Sequence, residues 1–407
     1  MNNSMLCVIL SSVVISNTAL AVTENTKASN KAKLTIEELR IPRAEQAMPA
    51  VRDYYLWDTF EQKWLEQEHF SKARQLVSIL GDDLWQFSKR QNQKSVLKDD
   101  RPLYWTRLAI TSFLRENSLE FSASEINALI EQFELSSRGQ DDLAFTQKAD
   151  KRILLTGFDP FLLDRNIAQS NPSGLAALML DGTIIKYKGI TAEINTAMIP
   201  VRYEDFDQGE IESLLSPFYA LNSIDMIATI SMGRTDFDLE HFPGLRRSAA
   251  APDNLNVYTG ANKSAPIVPK LLSEPLSTIE FVQYSLPYQA MMTAKGPYKV
   301  NDNRTVTTLL ESNISEPNNP EVKKVTNKTF DAQSLSELDN AIAVEGGGGG
   351  YLSNEISYRS ILLRNELGSS IPTGHIHTPR IKRFDPKVNQ AIVEQIRSII
   401  EKSLTEL

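Results

Sequence analysis

The chain has 407 residues, of which 41% are hydrophobic and 8% aromatic, and its formal net charge is −8. This length favours two domains, and this composition supplies packed cores and excludes wholesale disorder. Because phosphate binding depends on clustered Lys and Arg, and the chain has no long basic run, nucleic acid is excluded as the expected partner.

The first 21 residues predict a secretory signal peptide. An apolar stretch over 6–15 precedes an Ala-Leu-Ala sequence that ends at Ala21, a small-residue site of the cleaved kind. Cleavage after Ala21 predicts a secreted or periplasmic protein without a membrane span, and a short membrane anchor is the alternative. The only cysteine, Cys7, lies in this segment. The mature chain would therefore have neither a disulfide nor a cysteine nucleophile.

The next part of the chain predicts a small all-helical domain. Residues 22–34 are polar and predict a disordered lead, and helical periodicity governs the first part of 35–150, which closes with a polar hinge. Capping-box sequences begin at Thr35 and Ser122. Aromatic residues recur at helical spacing over 54–80, which is typical of a core. The sequence assigns no chemistry to this domain.

Residues 151–407 predict an α/β domain with a mainly parallel sheet, because short apolar runs alternate there with helical segments. Functional groups in such domains gather at the carboxyl ends of the strands. Polar segments at about 256–275 and 297–340 predict surface insertions. The apolar runs lie at 153–156, 195–200, 224–230, 278–286 and 341–344, and helices are predicted at 174–180, 210–221, 353–366 and 386–401.

Three loops of this domain carry reactive side chains. One spans 156–161, another spans 233–240, and in the third a run of five glycines precedes Ser353. A glycine-rich turn that presents a hydroxyl, with a downstream histidine such as His377 as base, is how a nucleophile is prepared for acyl transfer. Because the glycines lie between an apolar run and a helix, they favour a tight turn over a flexible linker.

Several short motifs occur in order along this domain. They are Thr-Gly-Phe-Asp-Pro-Phe with Asn-Pro-Ser, Gly-Arg-x5-Glu, Pro-Asp-Asn, Gly-x-Tyr-x-nucleophile-Asn and Gly-x-Ile-His-x-Pro. In this order they resemble the motifs of the pyroglutamyl peptidase I family, whose members are cysteine peptidases that remove an N-terminal 5-oxoproline. The resemblance covers about 151–407 and implies a three-layer α/β/α fold, preceded here by the helical domain.

Carried over residue by residue, the resemblance implies a Ser-His-Glu triad. The catalytic Glu falls on Glu240, the His on His377, and the nucleophilic Cys on Ser353, at the start of a helix whose dipole favours negative charge. A serine requires concerted proton removal, which such triads provide. The implied substrate is a peptide or small amide, with no cofactor. The implied substrate-binding positions are Phe158, Phe161, Ile230, Tyr351 and Leu352.

Departures from the family pattern leave an alternative open. Besides the serine, Ile230 replaces a Gln that contacts the substrate ring, and Ala250 replaces an Arg near the oxyanion, for which Arg246 or Arg247 could substitute. Loss of one oxyanion donor costs on the order of 10²–10³ in rate. The alternative is a catalytically inactive binding or interaction module.

A metal site is a further alternative. His375 and His377 alternate, so on a strand both side chains would face one side, where Glu240 or His241 could join them as ligands. A His-x-His pair alone is weak evidence, and no metal is predicted.

Overall fold

A computed structural model of the protein describes residues 32–52, 57–94, 98–146, 148–276, 278–316 and 319–407. The predicted signal peptide, with Cys7, lies outside the described residues, as does most of the predicted polar lead. Within the described ranges, no helix is long and apolar enough to cross a membrane.

Helices form the N-terminal unit. They are α1 (Ile41–Ala47), α2 (Trp57–Leu65), α3 (Phe70–Lys94), α4 (Arg101–Glu116) and α5 (Ala123–Ser137). The stretch predicted over 54–80 is interrupted, since α2 ends at Leu65 and α3 begins at Phe70. The capping box at Ser122 is present, because its Oγ accepts from the Glu125 N–H and its own N–H donates to the Glu125 carboxylate.

Strands and helices then alternate. The first are β1 (Lys151–Phe158), α6 (Pro172–Leu180), β2 (Thr183–Tyr187), β3 (Ile190–Ile199), α7 (Tyr203–Asp207), α8 (Glu210–Leu221), β4 (Met226–Met232) and β5 (Phe237–Glu240). Next are β6 (Lys270–Leu271), β7 (Glu274–Pro275), α9 (Tyr288–Met291), β8 (Val300–Asn303), β9 (Thr305–Glu316) and β10 (Asn319–Asp331). The last are β11 (Ile342–Glu345), α10 (Leu352–Glu366), β12 (Thr373–Thr378) and α11 (Pro386–Ser403).

In the described part of the chain, the central sheet has the strand order β2-β3-β1-β4-β12-β5-β8. The strands β3, β1, β4 and β12 run parallel, β2 pairs antiparallel at one edge, and β5 and β8 run antiparallel to β12 at the other. A smaller sheet has the order β10-β9-β11. The predicted α/β class with a mostly parallel sheet is confirmed.

Side chains alternate in direction along each strand, so the central sheet has a hydrophobic core on each of its two faces. On β1, Ile153 and Leu155 pack in a cluster with α6 and α11, whereas Leu154 packs in a second cluster with α8 and the start of α10. Successive side chains of a strand point to opposite faces, so each apolar run is buried on both sides. The sheet is thus the middle layer of an α/β/α arrangement.

The structure corrects two expectations from the sequence. Residues 278–286 form no regular strand and contribute only an isolated bridge from Phe281 to Gly244. The segment 297–340 is more than a surface insertion, because β8 lies within it and forms an edge of the central sheet.

Candidate active site

A cavity of about 350 Å³ opens where the carboxyl ends of β1, β4 and β12 face the first turn of α10. This is the edge at which parallel strands gather functional groups. Ser353 and His377 both line the cavity. Most of its wall is apolar and comes from Phe158, Phe161, Leu162, Val201, Met232, Tyr351, Leu352 and Ile381.

His377 and Glu240 form a buried pair. His377 Nδ1 lies 2.5 Å from Glu240 Oε1, and Glu240 is 1% exposed. Burial raises the pKa of the Glu240 carboxyl, while the bonds from His377 and Asn303 act in the opposite direction. With Nδ1 held by a carboxylate, Nε2 is the ring nitrogen left to exchange a proton, as in a Ser-His-acid triad.

Asn303 is the second partner of the Glu240 carboxylate. Its Nδ2 donates to Glu240 Oε2 at 2.7 Å and to the Gly347 carbonyl at 3.0 Å. The parallel register of β5 and β8 places Asn303 directly beside Glu240. Both carboxylate oxygens are therefore satisfied, which holds the carboxylate in one orientation.

Two glycines allow the backbone to pass close to this pair. A Cβ on Gly233 would lie 2.6 Å from Cβ and Cγ of His377, and a Cβ on Gly347 would lie 2.6 Å from Glu240 Oε2. Real Cβ atoms do not approach so closely, so side chains at these positions would displace the imidazole and the carboxylate. Glycine is the residue used where backbone approaches a functional group closely.

The five glycines form the predicted tight turn. Gly346 and Gly349 exchange backbone hydrogen bonds of 3.1 and 2.9 Å, and Gly349 has φ = +86°. The turn leads directly into α10, of which Ser353 is the second residue. Ser353 Oγ donates to the Gly348 carbonyl at 3.2 Å. The Asn354 N–H donates to the Tyr351 carbonyl at 3.0 Å, so the N–H groups of Leu352 and Ser353 are the first-turn groups available to stabilise an oxyanion.

The structure brings four of the five predicted substrate-binding residues to the cavity. Phe161 and Tyr351 stack with ring centroids 6.4 Å apart, and Phe158 stacks on Phe206 behind the wall. Ile230 does not line the cavity, because it points into the core cluster of α6 and α11. The next residue of β4, Ser231, lines the cavity instead, as alternation requires.

Neither predicted substitute for the missing oxyanion arginine reaches the cavity. Arg247 is buried and binds Glu355 and Asp207, with Nε 2.6 Å from Glu355 Oε2. The guanidinium of Arg246 binds Glu280. Carboxylates thus hold both of these guanidinium groups, and neither residue is among the described residues that line the cavity.

His375 is engaged by hydroxyl groups. Its Nδ1 lies 2.7 Å from Thr229 Oγ1 and its Nε2 lies 2.7 Å from Ser231 Oγ. Since both ring nitrogens have partners, His375 offers no lone pair to a metal shared with His377. No group of three or more His, Cys, Asp or Glu suited to a metal occurs in the described ranges.

Helical residues hold the loop that follows β1. Asp159, 2% exposed, accepts from Arg107 on α4 at 3.0 Å and from Arg138 after α5 at 2.6 Å. Burial acts to raise the pKa of Asp159, but the two guanidinium groups hold it below its ordinary value. In the Pro-Asp-Asn motif, Asn254 donates to the Pro160 carbonyl at 2.9 Å.

Sequence reasoning missed Asn303, Ser231 and the two arginines of the helical unit. Asn303 lies in a polar segment, and nothing in its composition indicates a strand that pairs with Glu240. Ser231 could have been found from alternation, because it follows Ile230 on β4. Arg107 lies on an amphipathic helix whose sequence does not indicate its buried partner.

Comparison with known protein families gives two matches. The family described as "PA0049, C-terminal domain" matches residues 152–285 and 280–382, and "PA0049 N-terminal domain" matches residues 19–134. The chain is 28% identical over 392 residues to "Uncharacterized protein PA0049" of Pseudomonas aeruginosa, covering 77% of this chain and 71% of that protein.

Solved structures that are similar to this chain include pyrrolidone carboxyl peptidases of Pyrococcus furiosus. A single-site variant of that enzyme matches with a TM-score of 0.39 and 21% identity, over 63% of this chain and 99% of that one. The enzyme described with its Cys-free mutant matches with a TM-score of 0.39 and 20% identity, over the same shares. From the family match over most of its α/β unit, the chain belongs to the PA0049 family.

Proposed function

We propose that the protein is a hydrolase of peptides or small amides that uses Ser353 as nucleophile, His377 as general acid and base, and Glu240 as the carboxylate that orients the imidazole. The observation that carries this proposal is that Ser353 and His377 line the same cavity and that His377 Nδ1 is held by the buried Glu240 carboxylate. A histidine whose Nδ1 is held by a carboxylate has the tautomer that acyl transfer requires.

The reaction would proceed in two halves. His377 Nε2 takes the Ser353 proton as Oγ attacks the substrate carbonyl, and the imidazolium then gives that proton to the leaving amine as the C–N bond breaks. Water attacks the resulting serine ester, with His377 again removing a proton and returning it to Oγ. In the first step the Ser353 hydroxyl exchanges the Gly348 carbonyl for His377 as its acceptor.

The apolar wall favours a compact acyl group. Phe158 and Phe161 supply flat faces, and the side chain that replaces the ring-binding Gln of pyroglutamyl peptidases points away from the cavity. An N-terminal 5-oxoprolyl group remains the leading candidate, with less stringent selection because a site without its polar partner discriminates weakly.

A fluorogenic 5-oxoprolyl amide and a panel of acyl amides and esters test the proposal. Ser353→Ala should lower hydrolysis at least about 10³-fold, and a serine-directed phosphonate should add its mass to Ser353 alone. Ser357→Ala, which removes a hydroxyl one turn further along α10, is the matched control. Wild-type protein that neither turns over any substrate nor forms an adduct would instead be the inactive binding module.

A cysteine at the nucleophile position gives a second, substrate-independent test. Because Cys7 is the only cysteine, Ser353→Cys in a Cys7→Ser background carries one thiol. Its alkylation by iodoacetamide should show an apparent pKa below the ordinary ~8.5, since His377 and the α10 N-terminus favour the thiolate. Adding His377→Asn should return the profile towards that value, and an unchanged profile would contradict the proposed pairing.

A further inference from the structure

The charges at the cavity mouth differ in sign from the net charge of the protein. Arg234 and Arg380 line the cavity and are exposed to solvent, and no Asp or Glu is among the described residues that line it. The chain as a whole carries a formal net charge of −8. Two cations at the entrance of a cavity without carboxylates create a local positive potential that attracts anions.

The two arginines are held near each other by backbone contacts. The Arg380 N–H donates to the Arg234 carbonyl at 2.7 Å, and the Gly233 N–H donates to the Thr378 carbonyl at 2.8 Å. The loops after β4 and β12 are thereby tied together at the edge of the sheet where His377 lies. Within the described ranges, neither guanidinium forms an ion pair, unlike the buried Arg107 and Arg247.

The location of the arginines indicates which part of a substrate they contact. The interior wall is apolar, and a carboxylate buried there without a partner would carry a large desolvation cost. At the mouth, by contrast, a carboxylate stays hydrated and can accept paired hydrogen bonds from a guanidinium. The acyl group therefore fits the interior, and the leaving part extends past Arg234 and Arg380 towards solvent.

We infer that Arg234 and Arg380 form a subsite for a carboxylate on the leaving part of the substrate, so that the preferred substrates are acylated acidic or free-carboxylate amino acids and short peptides. This inference rests on the proposed hydrolase function and adds the class of substrate to it. The carboxylate is either the terminal carboxylate of a single amino acid or the side chain of an acidic residue.

The inference is tested with matched substrates that share one acyl group, namely the group that is hydrolysed fastest in the panel of amides and esters. Their leaving parts are alanine amide, alanine with a free carboxylate, and aspartate amide, which separates terminal from side-chain carboxylates. The better acidic substrate should exceed the neutral amide in kcat/KM about tenfold, since two exposed ion pairs each contribute a factor of a few. This preference should shrink in 0.5 M NaCl because the charges are screened.

Substitution assigns the preference to the two arginines. Arg234→Gln with Arg380→Gln should abolish the acidic preference by raising KM for the acidic substrate. Arg383→Gln is the control, because Arg383 is exposed on the loop after β12 and is not among the residues that line the cavity. Equal kcat/KM for neutral and acidic leaving parts in the wild type would overturn the inference.

Failure of the hydrolase proposal can be recognised separately. If no substrate is cleaved, the three leaving parts are joined to a 5-oxoprolyl group, and calorimetric binding of these three compounds to wild-type protein replaces kinetics. Tighter binding of an acidic compound, lost in the double arginine variant and retained in Arg383→Gln, supports the carboxylate subsite without catalysis. Equal binding of acidic and neutral compounds overturns it.

Discussion

His375 and His377 lie two residues apart on β12, yet their partners differ in charge. His377 Nδ1 contacts the Glu240 carboxylate, whereas the two ring nitrogens of His375 contact the hydroxyls of Thr229 and Ser231. Burial lowers the pKa of His375 well below its ordinary 6.5, and the neighbouring His377 adds to this effect. His375 is thus a neutral, structural imidazole that links β12 to β4 beside the candidate base, His377.

Its lowered pKa predicts a pH-dependent stability. Below pH 6.5 the unfolded chain takes up a proton at His375 that the folded chain excludes, so the free energy of unfolding should fall as pH decreases from 6.5. The contribution is at most about 1.4 kcal/mol per pH unit and vanishes above pH 6.5. His375→Gln should remove this part of the slope between pH 6.5 and 5, as measured by urea unfolding.

The control for this prediction is His69→Gln, which removes an imidazole from the exposed surface. The comparison uses the difference in slope between variant and wild type, because carboxyl groups also titrate in this range. Parallel slopes for His375→Gln and wild type would show that His375 is protonated to the same extent in the folded and unfolded states.

At the scale of elements, the ladder between β5 and β8 orients the candidate acid. Asn301 lies beside Asp238 and Asn303 beside Glu240, and each asparagine Nδ2 donates to its neighbouring carboxylate. The two pairs have the same chemistry and register but differ in burial, since Glu240 is 1% exposed and Asp238 is partly exposed. The partly exposed pair of Asn301 and Asp238 is therefore a control for the buried pair of Asn303 and Glu240.

Asn303→Leu should cost about 1–3 kcal/mol of stability, because it leaves a buried carboxylate oxygen without a donor. Asn301→Leu should cost less than about 1 kcal/mol, because water can replace the lost donor at Asp238. Urea unfolding measures both costs. Asn303→Leu should also slow phosphonate labelling of Ser353, whereas Asn301→Leu should not, and equal behaviour of the two variants would rule out an orienting role for Asn303.

This ladder also marks the limit of prediction from sequence. The strands β1, β3 and β4 were predictable because apolar runs buried on both faces stand out from their surroundings. By contrast, β8 is a short edge strand with the sequence Val-Asn-Asp-Asn, and its pairing depends on a partner distant in sequence. Similarly, motif resemblance assigned Ile230 to the substrate pocket, but the alternation of β4 directs that side chain into the core.

At the scale of the whole molecule, the helical unit is part of the structure that supports the cavity. Its core cluster includes Ala177 and Leu178 of α6 and Met198 of β3. Arg107 and Arg138 bind the buried Asp159, one residue after β1. The sequence predicted the helices from their periodicity but assigned them no role, because a buried ion pair between distant segments leaves no local pattern.

Arg107→Met should destabilise the protein by about 3 kcal/mol, because it removes a partner from a buried carboxylate. Arg43→Met is the matched control, because Arg43 forms an exposed ion pair, 3.6 Å long, with Asp164 on the same loop. Loss of this exposed pair should cost less than about 1 kcal/mol. Urea unfolding compares the two. Arg107→Met should also slow phosphonate labelling of Ser353, and similar effects of both variants would count against this support.

The smaller sheet has a consequence for the spacing of the candidate triad. The strand β9 begins two residues after Asn303, and β11 ends one residue before the glycine turn that leads to Ser353. The hydrogen-bond register of β9 with β11, in which Ala343 lies beside Thr308, therefore contributes to the separation between Glu240 and Ser353. A slip of one residue would shift it by about 3.4 Å, whereas catalytic geometry tolerates about 0.5 Å. The register of the small sheet is therefore one of the features on which the spacing of the candidate triad depends.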